Sequence, residues 1–361
     1  MNKVIFVTTS MPHYRRGLIE QLNKDSTVDY FFASGYDKND SIKKLVFFDD
    51  VRHFLLKNLW LNKFFVIQFG LLRIIREVKP SAVVFTGDWK ILSTWFYLIF
   101  CRVLNVKTYF WSHGILSERR TINNSIKYIF FNSFSNGGFL YSERAKKILL
   151  EKKYRKKLIV IYNSLDYKSQ NKIANSQNSG GNSRYPHLVF IGRITIDRQL
   201  DLLVDALNLI DDKRIKVYLI GAGAYLSDLK KKILEYNISD QFIFVGPLYT
   251  EEEIYPYFRD ARACVFPGSI GLSIVHSFTY GVPVITHNNT DSQKPESEAL
   301  TDGENGFLYQ YNSFEDLARV INKIYLLDDD KYSEMKIRAK SVVTEYYNPV
   351  VQQKIFNTEF S

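Results

Sequence analysis

Short runs rich in Val, Ile and Phe recur along this chain, each followed by a stretch with helical spacing. The series stops once, at a polar segment, and then begins again. VIFVT before Ser10, Val28–Ala33, Ala82–Thr86, Lys107–Trp111 and Leu158–Tyr162 belong to the first series. HLVFIGR, KVYLIGAG, QFIFVG, ACVFPG and VPVIT belong to the second. The break is Asn171–Arg184, NKIANSQNSGGNSR, which carries Gly-Gly and no apolar periodicity. Strand and helix alternating in this way predict parallel, doubly wound sheets, one in each half. A chain of 361 residues is long enough for two such cores. The expected organisation is a domain over 1–165, a linker over 166–184, a second domain over 185–345 and a final helix over 346–361 placed to pack back on the first domain. Within the first half, Asp49 to Lys79 reads as mostly helical, with Arg52, Lys57, Lys63, Arg73, Arg76 and Lys79 set among apolar residues.

Charge separates the halves. Met1–Leu165 holds 27 Lys and Arg against 12 Asp and Glu, a net of +15. The remainder is mildly acidic, and the whole chain carries +10. A basic half predicts an anionic partner. No zinc-finger, helix-turn-helix or RNA-recognition signature is present, so nucleic acid is disfavoured and a membrane surface is expected. Aromatic residues reach 15%, which fits bulky cores or an apolar acceptor face. Cys101 and Cys264 both sit in apolar runs and read as small buried hydrophobes. The first residues, MNKVIFVTTS, are too short an apolar run for a signal peptide, and Ile91–Cys101 is about half of what a spanning helix needs. No Asp-x-Asp, His-x-x-x-His or cysteine pair points to a metal, and no Walker loop or Gly-x-Ser-x-Gly elbow is present.

The most informative stretch is Val265–Asn305. The strand Ala263–Phe266 closes at Pro267, a loop Gly268-Ser269-Ile270-Gly271 follows, and a helix begins near Leu272. Gly281 stops that helix and VPVIT starts the next strand. A glycine-bearing loop between a strand end and a helix start is where an open α/β sheet holds a phosphate. The order continues through Pro295, Glu296 and Glu298 to Asp302-Gly303-Glu304-Asn305-Gly306-Phe307.

This order of pieces resembles the donor-binding half of family 4 glycosyltransferases, and most closely a subgroup of transferases of bacterial surface polysaccharides (O-antigen and capsule). The resemblance implies a GT-B fold, α/β throughout, with two Rossmann-like doubly wound parallel-sheet domains facing a central cleft. It further implies that Gly192 and Arg193, with Arg198 five positions on, form the strand end and the two cations that clamp a donor diphosphate. A leaving nucleoside diphosphate gains charge as its glycosidic bond breaks, and cations meet that need. Gly221 and Gly223 match the Gly-x-Gly turn, which serves backbone approach or simple chain reversal. Leu248 falls beside the expected nucleotide base, and Ser269, Ile270, Gly271 and Leu272 around the phosphates.

The family carries two glutamates eight positions apart, and here those positions hold Gly268 and His276. His276 then contacts the ribose or is simply a buried histidine. Glu296 is a possible stand-in for the missing carboxylate, and His287 a residue near the cleft. In the first half, Trp111-Ser112-His113-Gly114 ends a strand, and His113 corresponds to a histidine close to the reacting sugar in relatives. Arg15, Arg16 and Asp88 are acceptor-side candidates.

The activity implied is retaining transfer of a sugar from a nucleotide sugar to a lipid-linked or oligosaccharide acceptor, without a cofactor or metal. The expected place is the cytoplasm, on the cytoplasmic face of the inner membrane. Two alternatives stay open: a non-catalytic scaffold subunit on the same fold, suggested by the missing glutamates, and a nucleotide-sugar epimerase.

Overall fold

Val4, Ile5, Phe6 and Val7 of the first strand point alternately in opposite directions and are nevertheless all buried, so both faces of its sheet are covered. In the computed structural model, which describes residues 1–36, 44–47, 49–117, 121–176 and 187–361, Val4 and Phe6 enter one apolar cluster while Ile5 and Val7 enter another. This two-sided burial is what unbroken Val/Ile/Phe runs require. The chain divides into two units, Met1–Asp166 with Tyr347–Ser361, and Tyr167–Tyr346.

The first unit contains strands β1 (Asn2–Thr8), β2 (Val28–Ser34), β3 (His53–Leu55), β4 (Lys57–Trp60), β5 (Val66–Phe69), β6 (Ala82–Thr86), β7 (Lys107–Ser112), β8 (Gly137–Leu140) and β9 (Lys157–Val160). Helices α1 (Arg16–Asn23), α2 (Leu71–Val78), α3 (Leu92–Val103), α4 (Ile122–Ser133) and α5 (Glu143–Glu151) connect them. The sheet order is β3-β2-β1-β6-β7-β8-β9, parallel at every pairing. The order reverses between β1 and β6, which opens a crevice at their carboxyl ends.

Asp49–Lys79 is not mostly helical. Only Leu71–Val78 coils, and β4 and β5 form an antiparallel hairpin outside the sheet. The turn between them is set by Asn62, whose Oδ1 accepts the N–H groups of Phe64 and Phe65 at 2.7 and 2.9 Å. Apolar residues here alternate across a ribbon, and the basic residues between them do not keep helical spacing.

The expected linker 166–184 also needs correction. Tyr167–Ser176 is a helix, α6, in the second unit. It is held because Ile173 and Ala174 pack with Tyr255 and Gln170 is buried. Residues 177–184 lie outside the described residues.

The second unit continues with β10 (His187–Ile191), β11 (Val217–Ile220), β12 (Phe242–Gly246), β13 (Ala261–Phe266), β14 (Val284–His287) and β15 (Gly306–Tyr309). Its later helices are α7 (Leu200–Leu209), α8 (Leu226–Glu235), α9 (Glu251–Arg259), α10 (Ser273–Thr279), α11 (Phe314–Tyr325) and α12 (Asp329–Glu345). The order β12-β11-β10-β13-β14-β15 is again parallel throughout, with its reversal between β10 and β13.

The last helix, α13 (Pro349–Phe360), belongs to the first unit. Asn348 caps it, accepting the N–H groups of Val350 and Val351 at 3.0 Å, with Pro349 in the first turn. Phe356 is fully buried, its ring centroid 5.0 Å from that of Phe6 and 4.8 Å from that of Phe139. One face of the first sheet is therefore covered by α13 together with α1, whose Leu18, Ile19 and Leu22 join the same cluster.

Candidate functional site

In the second unit the loops after β10, β11 and β12 are tied together by their main chains. Gly192 donates to Ile220 O at 3.0 Å, Ile194 to Ala222 O at 2.9 Å and Gly221 to Gly246 O at 2.8 Å. A Cβ on Gly221 would lie 1.9 Å from Gly192 O, and one on Gly223 2.0 Å from Ile194 O. These glycines are required by close approach of the loops to one another.

The loop after β13 joins the same edge. Gly268 N–H donates to Arg198 O at 2.9 Å, and the Arg198 guanidinium donates to Ser269 O. Arg198 thus lies against the Gly268–Gly271 loop, its main chain on Gly268 and its side chain on Ser269. Burial holds the Arg198 guanidinium below its ordinary pKa; Asp197 opposes this and the like charge of Arg193 adds to it. The two arginines are therefore near neighbours in electrostatic terms. Arg198 Nε is buried with no hydrogen-bond partner. A partly desolvated guanidinium beside a second cation is suited to an anion carrying more than one charge.

The first missing glutamate has a steric reason. A Cβ at Gly268 would lie 2.2 Å from Asp197 O, so no side chain of any kind fits. A carboxylate reaches this loop from elsewhere. Glu296, 2% exposed in the turn Pro295–Ala299, brings Oε2 to 3.8 Å from where a Cβ of Gly271 would stand. Ile270 N–H is fixed by Gln293 Oε1 at 2.8 Å, and Gln293 Nε2 in turn donates to Thr286 Oγ1 and His287 O.

His276 on α10 turns toward α9. Its Nε2 meets Glu251 Oε2 at 2.9 Å, and its ring stacks on Phe258 with centroids 4.9 Å apart. Tyr280 donates to the same Glu251 oxygen at 2.6 Å, and Gln170 donates to Oε1 at 3.2 Å. Burial raises the Glu251 carboxyl, but the charge and hydrogen bond of His276 and the hydrogen bonds of Tyr280 and Gln170 outweigh it and leave the pKa below its ordinary value. Leu248 is half-buried and precedes Thr250, the cap of α9, so it shares a connection with Glu251. Leu272 leads into α10, and Ser273 Oγ donates to Ile191 O at 3.3 Å. His287 is buried inside β14, with Nδ1 accepting from Asn289 N–H at 3.2 Å.

In the first unit a pocket of about 500 Å³ opens at the carboxyl ends of β1, β6 and β7, at the reversal of strand order. His113, Asp88 and Arg15 all line it. Arg15 is 8% exposed; its guanidinium carbon stands 4.0 Å above the Trp111 ring, and Nη2 donates to the Tyr141 hydroxyl. Arg15 Nη1 is buried with no hydrogen-bond partner. Arg16 points elsewhere and pairs with Glu20 at 2.9 Å in solvent. His113 sits edge-on to Tyr141 with ring centroids 5.0 Å apart. Asp88 Oδ1 accepts Lys90 N–H at 3.1 Å.

Lys127, from α4, lines the pocket and was not among the expected site residues. Burial holds its ammonium below the ordinary value; Asp88 opposes this and Lys90 adds to it. In the sequence Lys127 is one of several polar residues in a mixed helix, and only the fold sets it beside Asp88. Glu251 was likewise hidden in a capping run of three glutamates. Among the described residues no group of three or more His, Cys, Asp or Glu is placed to hold a metal ion.

The family model described as "Glycosyl transferases group 1" matches residues 171–342. The sulfoquinovosyl transferase SQD2 of Arabidopsis thaliana is 26% identical over 189 residues, covering 51% of this chain and 35% of that protein. A 41.2 kDa protein in the cps region of Klebsiella pneumoniae is 24% identical over 208 residues, covering 53% of this chain and 54% of that one. The chain thus spans less than two thirds of the length of either relative. Among solved structures, Anabaena Alr3699/HepE in complex with UDP superposes with a TM-score of 0.72 at 16% identity, over 99% of both chains.

Proposed function

We propose, on the premise that residues 171–342 are a group 1 glycosyl transferase domain in a chain of GT-B fold, that this protein transfers a sugar from a nucleotide-diphosphate donor. The observation that carries the reading is the Arg193–Arg198 pair, with Arg198 bound to the Ser269–Gly271 loop at the point where the strand order reverses. The donor diphosphate binds there, and the two guanidinium groups neutralise the charge that grows on the leaving phosphate. Glu296 takes the donor-sugar contact that position 268 has no room to make, and His276, held by Glu251, borders the ribose.

The first unit supplies the acceptor pocket, with His113, Asp88 and Arg15 lining it. Transfer proceeds with retention: the acceptor hydroxyl forms the new bond to the anomeric carbon on the face the diphosphate leaves, and its proton passes to the departing phosphate oxygen. No metal is needed in this scheme, because cationic side chains do that work. The acceptor is a lipid-linked saccharide of surface polysaccharide assembly, and the protein works attached to the cytoplasmic face of the inner membrane. The similarity to a protein of a cps region supports the polysaccharide role, and the +15 of the first half supports the surface. The empty position 268 favours a second reading, a scaffold without turnover.

The test is nucleotide binding followed by turnover. Nucleoside diphosphates should raise the melting temperature of the protein, and their sugars should be consumed faster when a lipid-linked acceptor is added, with or without a chelator. Arg198→Ala should lower kcat/KM roughly 100- to 1000-fold. Binding without turnover for any donor would leave the scaffold reading; no binding of any nucleoside diphosphate would sink both.

A further inference from the structure

Helix α3 is apolar on the side that faces water. Thr94, Tyr97, Leu98 and Cys101 point into the core. On the other side Leu92, Phe96, Ile99 and Val103 recur at i, i+4, i+7 and i+11, one stripe of the helix, and are 38, 54, 50 and 77% exposed. A surface helix ordinarily places charged residues there, and a helix that is apolar all round is ordinarily buried.

The β4–β5 hairpin extends the exposure. It packs on α3, with Gln68 N–H donating to Ser93 Oγ at 2.9 Å and the Tyr97 hydroxyl donating to Gln68 O at 2.8 Å. Leu59, Leu61 and Phe64 of the hairpin are each about half exposed or more. Lys90, next to the start of α3, lies 5.2 Å from the Phe64 ring centroid, so the hairpin tip and the head of the helix adjoin.

The surroundings are cationic. Between Lys57 and Lys107 the chain has eight Lys and Arg and two acids. Arg76 stands 5.9 Å from the Phe100 ring centroid, and Lys57, Lys63 and Arg102 are exposed. Apolar side chains framed by cations match a bilayer with anionic headgroups: the rings and branched chains enter the acyl boundary and the cations stay at the phosphate level. A second copy of this chain would instead set the same positive frame against itself.

We infer that α3 and the β4–β5 hairpin are the face by which this protein lies on an anionic membrane. The inference deepens the membrane part of the proposed function and names the surface that performs it. Trp89 and Lys90 join this face to the pocket: both line it, and Trp89 meets Phe65 edge-on at 5.7 Å. A headgroup standing in the bilayer therefore has the acceptor pocket beside it.

The full chain is mixed with vesicles of phosphatidylcholine, with and without phosphatidylglycerol, and sedimented across a salt series. Wild type should bind only the anionic vesicles and release as salt rises. Phe96→Glu with Ile99→Glu should weaken binding by more than about tenfold, with melting temperature and nucleotide binding unchanged. Lys57→Glu with Lys63→Glu should weaken it and reduce the salt dependence. If the first pair fails to fold, Val103→Glu, at the most exposed position of the stripe, takes its place. Wild type that ignores anionic vesicles, or a stripe variant that binds them as wild type does, overturns the inference. So does a wild-type dimer in sedimentation velocity that the stripe variant converts to monomer, which would make the stripe a self-association surface. Loss of nucleotide binding with vesicle binding intact would count against the transferase reading alone.

Discussion

Arg15 and Arg16 are adjacent in the sequence, equal in chemistry, and opposite in environment. One lies buried on Trp111 with a free guanidinium nitrogen in the pocket; the other pairs with Glu20 in water. The sequence offers both as candidates because a loop leading into a helix does not declare which residue turns inward. His276 raises a related point. Its spacing from Gly271 indicates the family's second glutamate position, but nothing in the sequence pairs it with Glu251, which arrives from another helix. His276→Asn should raise the donor KM about 2- to 10-fold, the equivalent of one ordinary hydrogen bond, with little change in kcat. A collapse of kcat at saturating donor, with the fold intact, would instead make His276 an acid or base. His287 bears on stability. Burial pushes its imidazole down to about 4, while an unfolded chain takes up the proton near 6.5. Above about pH 6.5 both states are neutral and His287 contributes no pH dependence. As pH falls from there toward 4 only the unfolded state gains the proton, so stability declines, by up to roughly 3 kcal/mol. Melting temperatures of wild type and His287→Gln across that window should diverge in slope, the variant being the flatter.

At the scale of elements, the strands were legible and the connections less so. Val, Ile and Phe runs buried on both faces have few other solutions, and their ends carry the glycines that close approach demands. The β4–β5 hairpin was not legible, because apolar residues at mixed spacing fit a helix about as well as a ribbon until Asn62 is seen turning the chain. Helix α6 was hidden in a polar sequence; its few apolar residues suffice only because Tyr255 meets them. The loop at Gly268 shows an element dictating a residue. It packs on the backbone of Asp197 and Arg198, so Gly268→Ala should cost about 1–3 kcal/mol by overpacking and weaken nucleotide binding in parallel, measurable by denaturant titration with and without nucleoside diphosphate. Alanine tolerated at no cost would mean that the loop and the turn at Asp197 are not in fixed contact. By the same reasoning, a glutamate introduced at 268 would displace the loop rather than reach a ligand.

At the scale of the molecule, the two units share a covalent chain in an unequal way, since the first is built from both sides of the second. Phe356 is the centre of this dependence, and Phe356→Ala should destabilise the first unit by about 3–5 kcal/mol. All four tryptophans, Trp60, Trp89, Trp95 and Trp111, lie in the first unit, so their fluorescence isolates its transition, while the nucleotide binding proposed for the second unit reports on that unit. The variant should move the fluorescence midpoint and leave nucleotide binding in place; equal loss of both would mean that the units unfold as one. The same arrangement imposes an order of events during translation. Synthesis delivers β1 and α1 before α13, so Phe356 and Phe360, which complete the cover of one face of the sheet beside α1, are not made until all of Tyr167–Tyr346 has emerged. The second unit can thus complete its core while the first still exposes Phe6 and Phe139, and that interval is when a chaperone has most to shield.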